Sequence, residues 1–335
     1  MPSLTSSRPE GLFLPDPGLD AHIGGRLAEV EGLLRQSVVS QYPFVTNAAR
    51  HLVDAGGKRF RPLLTLLAAQ FGDPAAAGVV PSAVVVELTH LATLYHDDVM
   101  DEAPLRRGAA SANARWDNTV AILTGDFLFA RASDLLADLG PEAVRIQART
   151  FERLCTGQIR ETVGPGADED PIAHHVSVLA DKTGSLIATA GRFGAMMSGA
   201  DESVIETMAA FGERIGVAFQ LADDLVDIGS ERSQSGKTPG TDLREGVATL
   251  AVLYARTSTD AADARLIELT SGAIHDDAAH AEALRLLRAH PAMGRARDEA
   301  HRWADEARQT LTPLPSGPTR DALEMLCDYV VERTG

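Results

Sequence analysis

Cysteines and long apolar runs are scarce in this sequence. Its 335 residues include two cysteines, Cys155 and Cys327, too few for a disulfide framework and in keeping with a reducing cytosol. No stretch of about 18 uncharged apolar residues occurs, so we expect no membrane-spanning helix. The first twenty residues lack the basic and apolar regions of a signal peptide. These absences favour a cytoplasmic protein.

Basic residues are outnumbered by acidic ones. Lysine and arginine total 31 against 47 aspartates and glutamates, which gives a formal net charge of -16. Because the phosphate backbone of a nucleic acid attracts basic surfaces, this balance argues against a nucleic-acid partner. An acidic protein can still bind an anionic substrate if metal ions lie between the two.

Hairpin turns between alternating segments and the strand–helix alternation of a parallel sheet are also missing. Instead, apolar residues recur near every three to four positions along most of the chain, which indicates amphipathic helices. Pro141 and Pro171 stand where first-turn prolines are tolerated. The 44% of hydrophobic residues suffices for a substantial core. We predict an all-α fold, a single domain of about a dozen helices over residues 21–335, with a flexible leader over residues 1–20.

The pattern Asp-Asp-x-x-Asp occurs twice, each time at the end of an apolar helical run. Residues four apart on a helix lie on one face, about 5.4 Å apart along the axis, so each motif offers a pair of carboxylates. Mg²⁺ prefers oxygen ligands and is often held by one or two carboxylates together with substrate phosphates. One such motif is typical of a solvated helix end, whereas two with the same spacing favour a metal site. The six residues are Asp97, Asp98, Asp101, Asp223, Asp224 and Asp227.

Cationic side chains stand where an anion bound near these motifs requires them. Two glycines precede Lys58 and Arg61 at a predicted helix entry, and free N–H groups at a helix N-terminus favour a phosphate. Arg106 and Arg107 directly follow the first motif, and arginine forks bind phosphate oxygens bidentately. Each pair has an ordinary alternative: a solvated loop for the first, and neutralisation of neighbouring carboxylates for the second.

Further polar candidates are weaker when taken singly. His90 lies seven residues before Asp97, two helical turns away and near the same face. For each of them, a surface position or a satisfied core position is an open alternative. The others are Lys182, Thr183, Gln220, and Lys237 within a Gly-, Ser- and Pro-rich segment, residues 229–242, that predicts a loop.

These blocks, in this order, resemble the trans (E-type) isoprenyl diphosphate synthases, also called polyprenyl synthetases. The resemblance covers about residues 25–333 and implies the isoprenoid synthase fold, with helices around a central cavity, and a homodimer. One departure is Ala251, where the family usually has proline, and we expect only a local effect at a helix entry. The blocks are GGKRFRP, HLATLYHDDVMDEAPLRRG, TGDFLFARA, DKTGSL, GVAFQLADDLVDI and GKTPGTDLREGVATL.

The resemblance also implies the chemistry and its residues. An allylic diphosphate loses pyrophosphate with the help of three Mg²⁺ ions, the double bond of isopentenyl diphosphate attacks the carbocation, and the departing pyrophosphate removes a proton. By position, Asp97 and Asp101 hold two metal ions, and Asp223, with Asp227 nearby, holds the third. The catalytic set is completed by two further aspartates and three basic residues: Asp98, Asp224, Arg106, Lys182 and Lys237. The allylic substrate then contacts Arg106, Lys182, Thr183, Gln220 and Lys237, and isopentenyl diphosphate contacts Lys58, Arg61, His90 and Arg107.

Product length is implied by the residues before the first motif. In the family, a bulky residue four or five positions before it ends elongation early, but Thr93 and Ala92 are small here, as is Thr89. The amino-acid sequences of these motifs resemble those of actinobacterial long-chain synthases. We predict a long-chain all-trans product of about 35 to 50 carbons, with transient membrane contact at its release. A short-chain geranylgeranyl or farnesyl diphosphate synthase is the alternative.

Two other functions compete with this hypothesis. A terpene cyclase shares the fold and the first motif, but cyclases usually replace the second motif with a mixed Asn/Ser/Glu metal triad. A non-catalytic partner subunit of another synthase tends to lose aspartates or arginines of the site. Because both aspartate motifs and the full basic set are present, the sequence favours a catalytic synthase.

Overall fold

Helices dominate the computed structural model, which describes residues 12–229 and 239–332. The short strands β1 (Leu105–Arg106) and β2 (Ala109–Ala110) form one antiparallel hairpin. The all-α prediction is confirmed. The α-helices are α1 (Pro17–Ser37), α2 (Pro43–Asp54), α3 (Phe60–Ala68), α4 (Val79–Met100), α5 (Ala112–Arg115), α6 (Asn118–Leu139), α7 (Pro141–Val163), α8 (Pro171–Leu179), α9 (Ser185–Met197), α10 (Glu202–Gly229), α11 (Thr241–Glu245), α12 (Leu250–Arg256), α13 (Ala264–Leu269), α14 (Asp277–Ala289), α15 (Pro291–Thr310) and α16 (Pro318–Glu332).

Local sequence signals explain where several helices begin. Proline is the first residue of α7 and α8, where its missing N–H has no intrahelical partner to lose. Aspartate side chains cap other helices by accepting a free backbone N–H. Asp16 Oδ1 accepts from Leu19 N at 2.7 Å, and Asp117 Oδ1 accepts from Val120 N at 2.8 Å.

The first described residues belong to the folded structure. Leu12 and Leu14 are buried, and Leu14 N donates to Asp20 Oδ1 at 3.0 Å. Helix α1 begins at Pro17. The flexible leader predicted over residues 1–20 therefore overlaps ordered chain at residues 12–20, whereas residues 1–11 lie outside the described part.

The described chain forms two compact units. The first consists of residues 12–152, Leu186–Gly212 and Thr310–Met325, and the second of Arg153–Ser185, residues 213–229 and 239–309, and residues 326–332. The single-domain prediction stays a prediction. None of the helices in the described ranges is both long enough and apolar enough to cross a membrane.

Helix α4 lies at the centre of the first unit, where it packs against α1, α3 and α6. Its buried Tyr95 links it to α2: the hydroxyl donates to Ala48 O at 2.5 Å and accepts from Leu52 N at 3.3 Å. Helix α9 approaches α3 so closely that a side chain at Gly194 would overlap Thr65 O. The Tyr95 hydrogen bonds connect the C-terminal part of α4, which carries the first aspartate motif, to α2.

In the second unit, α8 packs against α12, and α13 against α14. A π-helical turn over Ala180–Gly184 joins α8 to α9. The second aspartate motif occupies the last two turns of α10, which ends at Gly229. Both motifs therefore close long helices.

Candidate active site: two aspartate motifs and an arginine cluster

The first aspartate motif forms the last turn of α4. Asp97 is half-buried and Asp101 is the exposed C-terminal cap, with Asp101 N donating to Asp97 O at 2.8 Å. The two carboxylates therefore lie one turn apart, as the helical period predicts. A helix C-terminus carries partial negative charge, so carboxylates gathered there are unfavourable unless a cation compensates them.

The middle aspartate of this motif faces the protein interior. The Asp98 side chain is fully buried, and its Oδ1 accepts from Arg106 Nε at 2.5 Å. Burial raises the pKa of Asp98, and the Arg106 guanidinium opposes that rise. Asp98 thus anchors Arg106, whose Nη2 also lies 4.0 Å from Asp101 Oδ2.

Arginine side chains surround His90 two turns before the motif. Burial lowers the pKa of His90 well below its ordinary value, and the nearby guanidinium groups of Arg61 and Arg107 add to the effect. Burial also lowers the pKa of Arg61 to about 10, with Arg107 adding to that shift and Glu87 opposing it. The structure therefore brings together three of the four residues assigned to isopentenyl diphosphate. The fourth, Lys58, is exposed on the preceding loop.

Arg59 and its two carboxylate partners, which the sequence analysis did not include, hold that loop in place. The Arg59 side chain is 1% exposed, pairs with Glu31 of α1, and donates from Nη1 to Glu87 Oε1 of α4 at 2.8 Å. It also donates to Val53 O at 3.1 Å. Glu87 Oε1 lies 4.0 Å from Arg107 Nη2, so one buried carboxylate serves both arginines.

Arg107 lies against the two glycines of the same loop. Its guanidinium donates to Gly56 O and, at 3.0 Å, to Leu52 O. Gly57 has a φ of +150°, and a Cβ there would come within 2.8 Å of the Arg107 guanidinium. Glycine at this position is therefore required by both the backbone and the arginine.

The second aspartate motif lies in the second unit and is connected to the DKTGSL block. Thr183 Oγ1 donates to Gln220 Oε1 at 3.0 Å, and Gln220 Nε2 donates to Asp224 Oδ1 at 3.0 Å. Two of the five residues assigned to the allylic substrate, Thr183 and Gln220, thus form a hydrogen-bonded chain that ends on the buried Asp224. Lys182 Nζ donates to Glu161 Oε2 at 2.6 Å.

Asp227 joins the motif to the start of α11. Its two carboxylate oxygens accept from Thr241 N and Asp242 N, each at 3.3 Å. Gly240 N donates to Asp227 O at 2.9 Å. The predicted substrate contact Lys237 lies outside the described residues.

Carboxylates accumulate around this motif. Burial raises the pKa of Asp224 to about 7, opposed by the Gln220 hydrogen bond and reinforced by Asp223 and Glu161. Burial likewise raises the pKa of Asp242 to about 8, reinforced first by Asp224. Asp242 and Glu161 were not predicted as site residues. Asp242 stands inside the quoted block GKTPGTDLREG, but no sequence signal marks Glu161.

The residues assigned to chain length lie on α4 above the first motif. Ala92 and Thr89 are fully buried, and Thr93 is half-buried. Thr89 Oγ1 accepts from Gln147 Nε2 of α7 at 2.8 Å. Gln147, which the sequence analysis did not include, therefore covers Thr89.

Comparison with known proteins decides the family. The profile of the family described as Polyprenyl synthetase matches residues 42–287, more than half of the chain. The chain belongs to the polyprenyl synthetase family. The predicted family is thereby confirmed, and with it the prediction of a prenyl-transferring enzyme.

Individual members of the family are similar over nearly the whole chain. A nonaprenyl diphosphate synthase of Mycobacterium tuberculosis is 51% identical over 326 residues, covering 97% of each chain. A dimethylallyltranstransferase of the same organism is 42% identical, covering 95% of this chain and 97% of its own. The crystal structure of a geranylgeranyl pyrophosphate synthase from Corynebacterium glutamicum, complexed with calcium and isoprenyl diphosphate, has a TM-score of 0.86 and 47% identity. It covers 97% of this chain and 100% of its own.

The oxygen-rich donor set of this polyprenyl synthetase suits a hard divalent cation. Within residues 12–229 and 239–332, no group of three or more His, Cys, Asp or Glu side chains has the geometry to hold a metal ion unaided. Mg²⁺ is commonly bound by one or two carboxylates, with waters and substrate phosphates completing its shell. Paired carboxylates at two helix ends fit that mode. At the second, burial and then neighbouring carboxylates raise the pKa values of Asp224 and Asp242.

Proposed function

We propose that this chain is a Mg²⁺-dependent trans-polyprenyl diphosphate synthase that elongates an allylic diphosphate by 1'-4 condensation with isopentenyl diphosphate. One observation supports this most strongly. Helix α4 carries both His90, which lies near the guanidinium groups of Arg61 and Arg107, and the acidic residue Asp97. The two residues are seven positions apart, about 10 Å along the helix axis. One helix therefore offers both a cationic anion site and a carboxylate site.

The residues around His90 bind the first substrate in this proposal. Arg61, His90 and Arg107, together with the exposed Lys58, contact the diphosphate of isopentenyl diphosphate. The buried cluster carries more positive than negative groups, because Glu87 and Glu31 face Arg59, Arg61 and Arg107. A diphosphate supplies the missing negative charge.

The aspartate motifs bind the metal ions that contact the allylic diphosphate in this proposal. Asp97 and Asp101 hold two of three Mg²⁺ ions, and Asp223 with Asp227 nearby holds the third. Asp98 positions the side chain of Arg106 by accepting its hydrogen bond, and Gln220 positions the side chain of Asp224 by donating one. The other contacts of the allylic diphosphate are Lys182, Thr183 and Lys237. When bound, the metal ions neutralise charge that develops on the leaving diphosphate.

The reaction balances without an oxidant or a further cofactor. The allylic C–O bond breaks, and its electron pair leaves with pyrophosphate. The double bond of isopentenyl diphosphate forms the new C–C bond, and pyrophosphate takes the proton that restores a double bond. The chain's lysines and arginines stabilise the leaving anion and orient both substrates.

A long-chain product is the version of this function that we favour. Ala92 and Thr89, two of the positions that the family resemblance assigns to product length, are small and buried. A similar protein is named as a nonaprenyl diphosphate synthase. The geranylgeranyl alternative is supported by the name of the Corynebacterium structure and by Gln147 covering Thr89.

One incubation tests the function and the product together. The purified chain, Mg²⁺, farnesyl diphosphate and labelled isopentenyl diphosphate are combined, and the products are separated by chain length. We expect linear products of about 35 to 50 carbons. A cyclic hydrocarbon would indicate a terpene cyclase, and no product from the chain alone would indicate a partner subunit. Products that stop at 20 carbons would support the short-chain alternative.

We also propose a homodimer. Apolar side chains are exposed on the first unit, including Leu123 of α6 at 60% and Tyr42 at 65%. Phe44, 40% exposed, packs edge-on against Trp116 with ring centroids 6.1 Å apart. Such surfaces are typical of protein interfaces. Light scattering of the purified chain should give twice the mass of one chain, and a monomer mass would contradict the proposal.

A further inference from the structure

The DKTGSL block contains an irregular helical turn. Over Ala180–Gly184 the helix is π-helical, and Ser185 N donates to Ala180 O, five residues back instead of four. Such turns are rare, are less favourable than α-helix, and often occur at functional sites. Because this turn carries Lys182 and Thr183, the groups that maintain it bear on the proposed substrate contacts.

Two arginines of α7 hold the turn by donating hydrogen bonds to the Asp181 carboxylate. Arg153 Nε donates to Asp181 Oδ1 at 2.8 Å, and its Nη2 donates to Ala180 O at 3.4 Å. Arg160 Nη1 donates to Asp181 Oδ2 at 3.4 Å and to Ser177 Oγ at 2.8 Å. Since Arg153 and Arg160 are seven residues apart, they lie two turns apart on one face of α7. Both oxygens of Asp181 and the displaced carbonyl of Ala180 are thereby engaged.

A glycine between the two arginines lets the helices come close enough. A Cβ at Gly157 would lie 3.0 Å from Asp181 Cβ and 3.0 Å from Lys182 N. A side chain there would push the turn away from α7. The close approach of α7 to the turn at Gly157 therefore supports the same contact that the two arginines make with Asp181.

The turn determines where its two functional side chains point. A π-helical turn contains one residue more than an α-helical turn. If the turn became α-helical, the helical segments before and after it would rotate by about 100° relative to each other. In the observed register, Lys182 Nζ reaches Glu161, and Thr183 Oγ1 reaches Gln220, which donates to Asp224. An α-helical register would break at least one of these contacts.

We propose that Asp181 is a positioning residue: held by Arg153 and Arg160, it maintains the π-helical turn and directs Thr183 to the Gln220–Asp224 pair. This inference rests on the proposed function for its effect on catalysis, but the turn itself can be measured without catalysis. Asp181 and Arg153 are part-exposed, with 20% and 39% of their side chains accessible. Pairs of this kind contribute little to global stability, so Asp181→Asn should fold normally.

The first measurement is amide hydrogen exchange over residues 180–185. We expect Asp181→Asn to speed exchange there at least tenfold while leaving α12 and α14 unchanged. The matched control is Arg145→Met, which removes the exposed Arg145–Glu142 pair elsewhere on α7 and should change nothing in the turn. Unchanged exchange in Asp181→Asn would overturn the proposal, whether or not the chain proves to be a synthase.

The second measurement is a double-mutant cycle with Thr183→Val. Each single substitution should lower kcat/KM for the allylic diphosphate about tenfold, and the double variant should lose little more than either alone, because both break one contact chain. Losses that multiply would show that Asp181 acts elsewhere and would overturn the proposal. So would an undiminished kcat/KM in either single variant. A wild-type chain without any condensation activity would refute the proposed function, and the exchange measurement would still decide the role of Asp181.

Discussion

Replacing Arg59 by methionine should destabilise the first unit strongly. Arg59 and Glu87 are 1% and 2% exposed, and Arg59 also pairs with Glu31 and donates to Val53 O. Methionine keeps much of the volume but removes the nearest cation of two buried carboxylates. Glu87 then keeps only Arg107, at 4.0 Å, and Glu31 keeps the part-exposed Arg35, at 3.3 Å. Removing one partner of a buried ion pair costs about 3–5 kcal/mol, a large share of the roughly 5–15 kcal/mol that stabilises a typical protein.

Equilibrium unfolding in urea measures this loss. The control is Arg145→Met, which removes an ion pair whose side chains are 60% and 58% exposed and should cost about 0–1 kcal/mol. In the double variant Arg59→Met/Glu87→Gln, the two effects should couple by about 0.5–3 kcal/mol, because the amide no longer needs a cation. A loss below about 1 kcal/mol for Arg59→Met would refute the reasoning, since it would mean that water or another cation already satisfies the carboxylates.

Three further substitutions test the proposed site. Asp97→Ala should lower kcat about 100-fold or more while the circular dichroism spectrum stays unchanged. The control is Glu102→Gln at an exposed neighbouring position, which should leave kcat unchanged. An equal loss of kcat in the two variants would exclude a specific metal role for Asp97. Ala92→Phe should shorten the products seen by chromatography, and an unchanged distribution would show that Ala92 does not border the growing chain. Gly57→Ala should raise KM for isopentenyl diphosphate about tenfold by displacing Arg107, while Gly32→Ala, with open space around its Cβ, should leave KM unchanged.

Local sequence rules predicted the elements that carry the site. The apolar period predicted helices ending at both aspartate motifs, and the structure has α4 ending at Met100 and α10 at Gly229. The four-residue spacing predicted that Asp97 and Asp101 share one end of a helix. These statements concern neighbours in the chain, so helix geometry alone supports them.

The partners that reach the site from other helices escaped prediction. In the sequence, nothing distinguishes Glu87 and Gln147 from other helical residues. Only the packing of helices brings Glu87 to Arg59 and Gln147 to Thr89. Asp98 shares its motif with Asp97, but its inward direction depends on where strand β1 of the hairpin places Arg106.

By itself the sequence determined the all-α fold, the family and the order of the charged blocks, because helical period and motif spacing are properties of short segments. The tertiary structure decided which charges meet. It placed His90 among arginines, joined Thr183 to Asp224 through Gln220, and shaped the π-helical turn against α7. Those contacts join residues far apart in the chain, and close packing of whole helices, which no local pattern encodes, brings them together.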